Sequence, residues 1–207
     1  MADTCCSDKT QELEQIARQA DQRRVLLVVL AINAGMFVLE FGAGVAAGSS
    51  ALMADASDML GDALVYGVSL YALSRSDRWK AVAAMLKGGL ILLLAGGIAI
   101  NIFVKLGSGV PPSSTLMLIF GGLALVANLT CLLLLWRFRS QDVNMSSTFE
   151  CSRNDVISNV GVLIAAGLVA LTASPWPDIL VGAIMVAIFL RSALRVMTEA
   201  GAQLLRS

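Results

Sequence analysis

Three aspartates, Asp55, Asp58 and Asp62, stand in the segment ALMADASDMLGDALVYGVSLYA, residues 51–72, which is otherwise apolar enough to cross a membrane. A helix advances about 100° per residue, so Asp58 and Asp62 share one face, one turn apart. Asp55 lies a turn earlier on the same stripe. A second polar stripe recurs in FECSRNDVISNVG, where Cys151 and Asp155 are four residues apart and Asn159 follows one turn further. If the two segments cross the membrane in opposite directions, the two pairs can meet near its middle. Asp58, Asp62, Cys151 and Asp155 would then offer three carboxylates and a thiolate to one point. Four such ligands suit a tetrahedral ion, Zn²⁺ or Cd²⁺. Fully ionised, the set carries four negative charges, too many to stand uncompensated in low dielectric. Without metal some of these groups must carry protons, and metal binding must expel them.

Plainer roles compete with this one. A single intramembrane aspartate can pair with an arginine or cap a helix, and Asp55, nearest the end of its segment, fits that role as well as a ligand role. It is assigned with Glu40 and Asn159 to the surroundings of the site or to the ion pathway. Glu40 lies inside the first apolar stretch, where it lines a path or balances a basic side chain. Cys151 alone would be an inert buried cysteine; its spacing from Asp155 is what raises it. Cys131 has no such neighbour and reads as packing. Cys5 and Cys6 sit in a polar lead. Arg153 points away from Cys151 and reads as a partner for Glu150 or a snorkelling group near the inner face, Asn33 and Asn128 suit hydrogen bonds between helices, and Asp178 after PWP suits a cap for the last helix.

The elements that must position these groups are apolar helices. Of 207 residues, 57% are hydrophobic and 14% charged, which is the composition of a polytopic membrane protein. Six stretches, 25–47, 52–73, 82–104, 115–136, 147–172 and 178–196, are long enough to span, each span needing roughly 20 residues. Arg18, Arg23, Arg24, Arg75, Arg78, Lys80, Arg137, Arg139, Arg191, Arg195 and Arg206 fall on one side, and Lys105 alone on the other. The positive-inside rule puts both termini in the cytoplasm. The first 24 residues are polar and are not a secretory signal. Glycines within the spans, Gly42, Gly44, Gly48, Gly88, Gly89, Gly96, Gly97, Gly121 and Gly122, are read as close helix contacts. There is no histidine and the net charge is zero, which excludes His-based catalysis and offers no surface for nucleic acid. No P-loop appears, so no nucleotide drives the chemistry and no catalytic residue is assigned.

The stretch RRVLLVVLAINAGMFVLEFGAGVAAGSSALMADASDMLGDALVYGVSLYA, with SRNDVISNVGVLIAAGLVALT and WPDILVGAIMVAIFLRSALRVM, resembles the cation diffusion facilitators, a family of divalent-metal/proton antiporters. The resemblance covers roughly residues 22–205. It implies a central site made of His or Asp followed four residues later by Asp, once on helix 2 and once on helix 5, which match Asp58 and Asp62, then Cys151 and Asp155. Cys151 departs from the family pattern toward a softer ligand. Most members continue into a cytoplasmic domain after helix 6. The expectation here is a short member without it: residues 1–24 a cytoplasmic tail, residues 25–207 a six-helix transport domain. The resemblance also implies a homodimer, held here by transmembrane contacts.

These readings converge on an all-α integral protein of the inner (cytoplasmic) membrane. It would export Zn²⁺, and also Cd²⁺, against protons, the metal being cargo and no prosthetic group being required. Two rivals stand beside it. A proton-driven exporter of organic cations also uses buried acids, but wants aromatic residues near them, and none lies between Asp55 and Asp62. A non-transporting metal sensor or modulatory subunit is the other.

Overall fold

A computed structural model describes residues 2–72, 77–140 and 143–204. It contains six helices: α1 (Ala2–Ala47), α2 (Ser50–Ala72), α3 (Asp77–Ser108), α4 (Ser114–Trp136), α5 (Val143–Thr172) and α6 (Trp176–Leu204). No strand occurs among the described residues. The polar lead and the first span form one unbroken helix, because no glycine or proline interrupts residues 2–34. The side chains of Cys5 and Cys6 lie outside the described residues.

Each break in the chain has a local cause. After α1, Gly48 takes φ +64°, and the Ser49 N–H returns to the Gly44 carbonyl at 2.8 Å. Glycine reaches this left-handed conformation without steric cost and so ends the helix. Gly109, φ +66°, ends α3 in the same way, its N–H on the Lys105 carbonyl at 2.9 Å. Ser113 then caps α4, its hydroxyl accepting from the Leu116 N–H. Pro177 sits in the first turn of α6, where a missing N–H leaves no bond unmade.

Five helices contain segments long and apolar enough to cross a membrane: Ala20–Ala47, Gly88–Ser108, Ser114–Trp136, Thr148–Thr172 and Trp176–Arg195. The sixth expected span, α2, is not among them. Its 23 residues suffice in length, but every window of useful length across it contains Asp55, Asp58 and Asp62. The packing accounts for those charges, since α2 touches each of the other five helices. The others bear most of the exposed apolar surface, including Leu86, Leu93, Ile100, Phe103, Leu133 and Leu171. The packing of α2 against all five other helices keeps the carboxylates among protein groups.

The core is divided along α2. Toward its start, Leu52 and Met53 pack with Ile98, Val162, Val186 and Phe189. Toward its end, Tyr66 packs with Val29, Cys131, Leu135, Phe138 and Met145. The candidate polar groups lie between. Some glycines make this packing possible. A Cβ on Gly44 would lie 2.9 Å from the Met53 backbone nitrogen, one on Gly88 2.5 Å from Met197 Cγ, and one on Gly121 3.3 Å from Leu163 Cδ2. At Gly42, Gly89, Gly96, Gly97 and Gly122 a Cβ would meet nothing within 4 Å. Close helix contact therefore explains only part of the glycine pattern.

Candidate metal site

The four residues singled out by spacing line one cavity. It has a volume of about 400 Å³, and its walls include Asp58 and Asp62 from α2 and Cys151 and Asp155 from α5. Met185 and Phe189 of α6 form an apolar side of it. Asp62 and Asp155 are buried and face one another, Asp58 is half-buried, and Cys151 is exposed. Exposure rises toward the start of α5 and the end of α6, where Cys151, Asn154 and Ser192 meet the outside. The cavity therefore opens at the end of the bundle that the charge pattern assigns to the cytoplasm.

Helical periodicity places each pair locally, and the crossing of α2 and α5 brings the pairs together. Tyr66, one turn beyond Asp62, donates its hydroxyl to Asp62 Oδ2 at 3.0 Å. It is a polar partner that the aspartate spacing alone did not suggest, though its i+4 position was visible. Among the described residues, no group of three or more acidic or thiol side chains stands in metal-holding array.

Asp55, Glu40 and Asn159 form a separate, deeper layer. Asp55 is 2% exposed, and Glu40 and Asn159 are fully buried. The Asn159 amide donates to Asp55 Oδ2, and Asn128 of α4 donates to Asn159 Oδ1 at 2.8 Å. Glu40 faces Asp55 across the contact of α1 with α2, and no basic side chain balances it among the described residues.

A profile of the cation efflux transmembrane domain matches residues 26–205, nearly the whole chain. The chain belongs to the cation efflux family. It is a multi-pass membrane protein by that membership and by its apolar helices. It is 25% identical over 191 residues, 84% of this chain and 60% of the relative, to the cadmium, cobalt and zinc/H(+)-K(+) antiporter of Bacillus subtilis (strain 168). It is 26% identical over 195 residues, 85% of this chain and 62% of the relative, to the metal cation efflux system protein CzcD of Cupriavidus metallidurans. To the zinc transporter ZitB of Yersinia pestis it is 27% identical over 203 residues, 92% of this chain and 65% of the relative. The chain thus spans about three-fifths of the length of these relatives.

For this cation efflux chain, the weaker assignments divide. Arg153 pairs with Glu150 at 2.5 Å on the exposed side of α5, as its spacing suggests. Asn128 bonds between helices, and so does Asn33, whose amide donates to Cys131 Sγ of α4 at 3.8 Å as well as to the Val29 carbonyl of its own helix at 2.9 Å. Cys131 is buried, in line with a packing role. Asp178 departs from its expected role. It does not simply cap its own helix: its carboxylate accepts from the N–H groups of Ser50 at 2.9 Å and Ala51 at 3.1 Å, from Ser49 Oγ at 2.5 Å, and from Lys105 Nζ at 2.5 Å. It closes the start of α2. The first N–H groups of any helix lack intrahelical partners, and in a membrane they must find one.

Proposed function

We propose that the chain exports divalent metal cations, Zn²⁺ and also Cd²⁺, from the cytoplasm across the inner membrane in exchange for protons. The observation that carries this reading is the convergence of Asp58 and Asp62 with Cys151 and Asp155 on one cavity. Two positions on each of two crossing helices can approach an ion from opposite sides. Carboxylate oxygens and a thiolate match Zn²⁺ and Cd²⁺ in ligand type, the sulfur favouring the softer of the two. When metal leaves, protons take its place on these groups, because the buried set does not tolerate its full negative charge. Metal and proton occupancy then exclude one another, which is the coupling an antiporter needs. Access alternates by rocking of helices around the fixed site, and two copies associate through their transmembrane helices. The relatives' names, a zinc transporter and a cadmium, cobalt and zinc antiporter among them, agree with this cargo.

The test is uptake by proteoliposomes of the purified chain. Zn²⁺ and Cd²⁺ should enter with protons moving the other way, and Asp155→Ala should abolish both fluxes and weaken Cd²⁺ binding by calorimetry. Normal transport by Asp155→Ala would remove the central site. Drug transport without metal flux would favour the organic-cation exporter. Metal binding without any flux would favour the sensor or modulatory subunit.

A further inference from the structure

Glu40 occupies an unusual position. It is fully buried, and among the described residues no hydrogen-bond donor reaches either carboxyl oxygen. Across the contact of α1 with α2 it interacts with the carboxyl of Asp55, another acceptor. Two carboxylates cannot hydrogen-bond one another. The contact becomes a hydrogen bond only when one of them carries a proton. Asp55 has a further partner in Asn159, whose amide is fixed in turn by Asn128, so Asp55 is oriented as an acceptor and Glu40 is left with Asp55 alone.

Among the described residues no cation neutralises the pair. Among the described residues the one buried basic side chain is Lys105, and it is held by Asp178. From α5 the charged group near the pair is acidic, Asp155, which interacts with Asp55, and Asp58 and Asp62 follow Asp55 along α2. Removing two unneutralised carboxylates from water next to further acids costs several kcal/mol per ion on the general scale for buried charge. A single proton removes one charge and makes the missing hydrogen bond in the same step.

We propose that Glu40 and Asp55 bind one shared proton, as a proton site separate from the cavity of Asp58, Asp62, Cys151 and Asp155. The site joins α1 to α2 directly and α2 to α5 through Asn159, so its occupancy bears on the same helices that form the metal cavity. A divalent ion bound one turn along α2 repels that proton, and departure of the ion lets a proton bind again. The proton so moved adds to those carried by the metal-binding groups. This inference rests on the exchange of metal for protons proposed above.

The purified full chain in nanodiscs tests it in two independent ways. Infrared difference spectra of metal-free protein at neutral pH, wild type minus Glu40→Gln, should contain a protonated-carboxyl carbonyl component that shifts in D₂O and stands apart from that of the metal-binding acids, while Glu40→Asp restores it. Asp55→Asn, isosteric like Glu40→Gln, should remove the same band and serves if the first variant does not fold. On addition of Cd²⁺, a pH-indicator dye should count one proton fewer released by Glu40→Gln than by the wild type, with Cd²⁺ binding retained. An unchanged band in both variants, or an unchanged proton count, would overturn the proposal. If the wild type released no proton on Cd²⁺ binding, the exchange reading would fall, while the infrared band would still decide whether Glu40 and Asp55 hold a proton.

Discussion

Lys105 Nζ lies 2.5 Å from Asp178 Oδ2, with both side chains withdrawn from solvent, 7% and 0% exposed. The pair joins the end of α3 to the start of α6, and Asp178 also receives the first N–H groups of α2. Ser49 completes the arrangement by accepting from the Leu52 N–H at 3.1 Å. Three helix ends meet on one carboxylate, at the end of the bundle opposite the mouth of the cavity.

Asp178→Ala should therefore be among the most destabilising single changes in the chain. It strands a buried ammonium and two helix N–H groups together, and breaking a buried pair costs about 3–5 kcal/mol. Thermal unfolding in detergent should show a clear fall in Tm for Asp178→Ala and for Lys105→Ala. The double variant Lys105→Met, Asp178→Asn should recover part of it, since asparagine still accepts from the α2 N–H groups. Equal losses in all three would mean that the cost lies in losing the ion pair itself and not in the stranded partner.

Gly182→Ala should separate the starts of α2 and α6. A Cβ at this position would lie 2.9 Å from Ser50 Cβ, 3.0 Å from the Ser50 carbonyl carbon and 3.1 Å from the Ala51 nitrogen. Backbone atoms in a capped turn cannot step aside, so a cost in the range of about 1–3 kcal/mol is expected for such overpacking. Gly96→Ala, where nothing lies within 4 Å, is the control and should leave Tm unchanged. A matching loss in both would show that helix flexibility matters at these glycines and close approach does not.

Cys151 should report on the mouth of the cavity. It is exposed, whereas Cys131 is buried. In a background of Cys5→Ser and Cys6→Ser, a water-soluble maleimide should label Cys151, and Cd²⁺ should slow the labelling. Cys151→Asp should keep transport and move preference from Cd²⁺ toward harder ions such as Mn²⁺, because an oxygen replaces the soft sulfur. Labelling indifferent to Cd²⁺, with an unchanged metal profile, would show that this thiol does not touch the ion.

The sequence by itself determined the helices and the faces of the pairs. Apolar stretches of spanning length are local facts, and so is the four-residue spacing that puts Asp58 with Asp62 and Cys151 with Asp155 on one stripe each. Spacing states which face a residue occupies. It does not state which helix that face will meet, because the pairing of helices depends on shape complementarity along their whole length. Asp178 shows this: nothing near it in the chain marks Lys105, 73 residues away, or the start of α2, more than a hundred residues away, as its partners. Glu40 shows it again, since its contact with Asp55 exists only where α1 and α2 close on one another. The glycines divide for the same reason, Gly44 and Gly88 lying at helix contacts and Gly96 and Gly97 not. Tertiary structure also decided the standing of α2. Three aspartates make it a poor membrane span in isolation, and the five helices around it supply the protein surroundings in which those charges can remain.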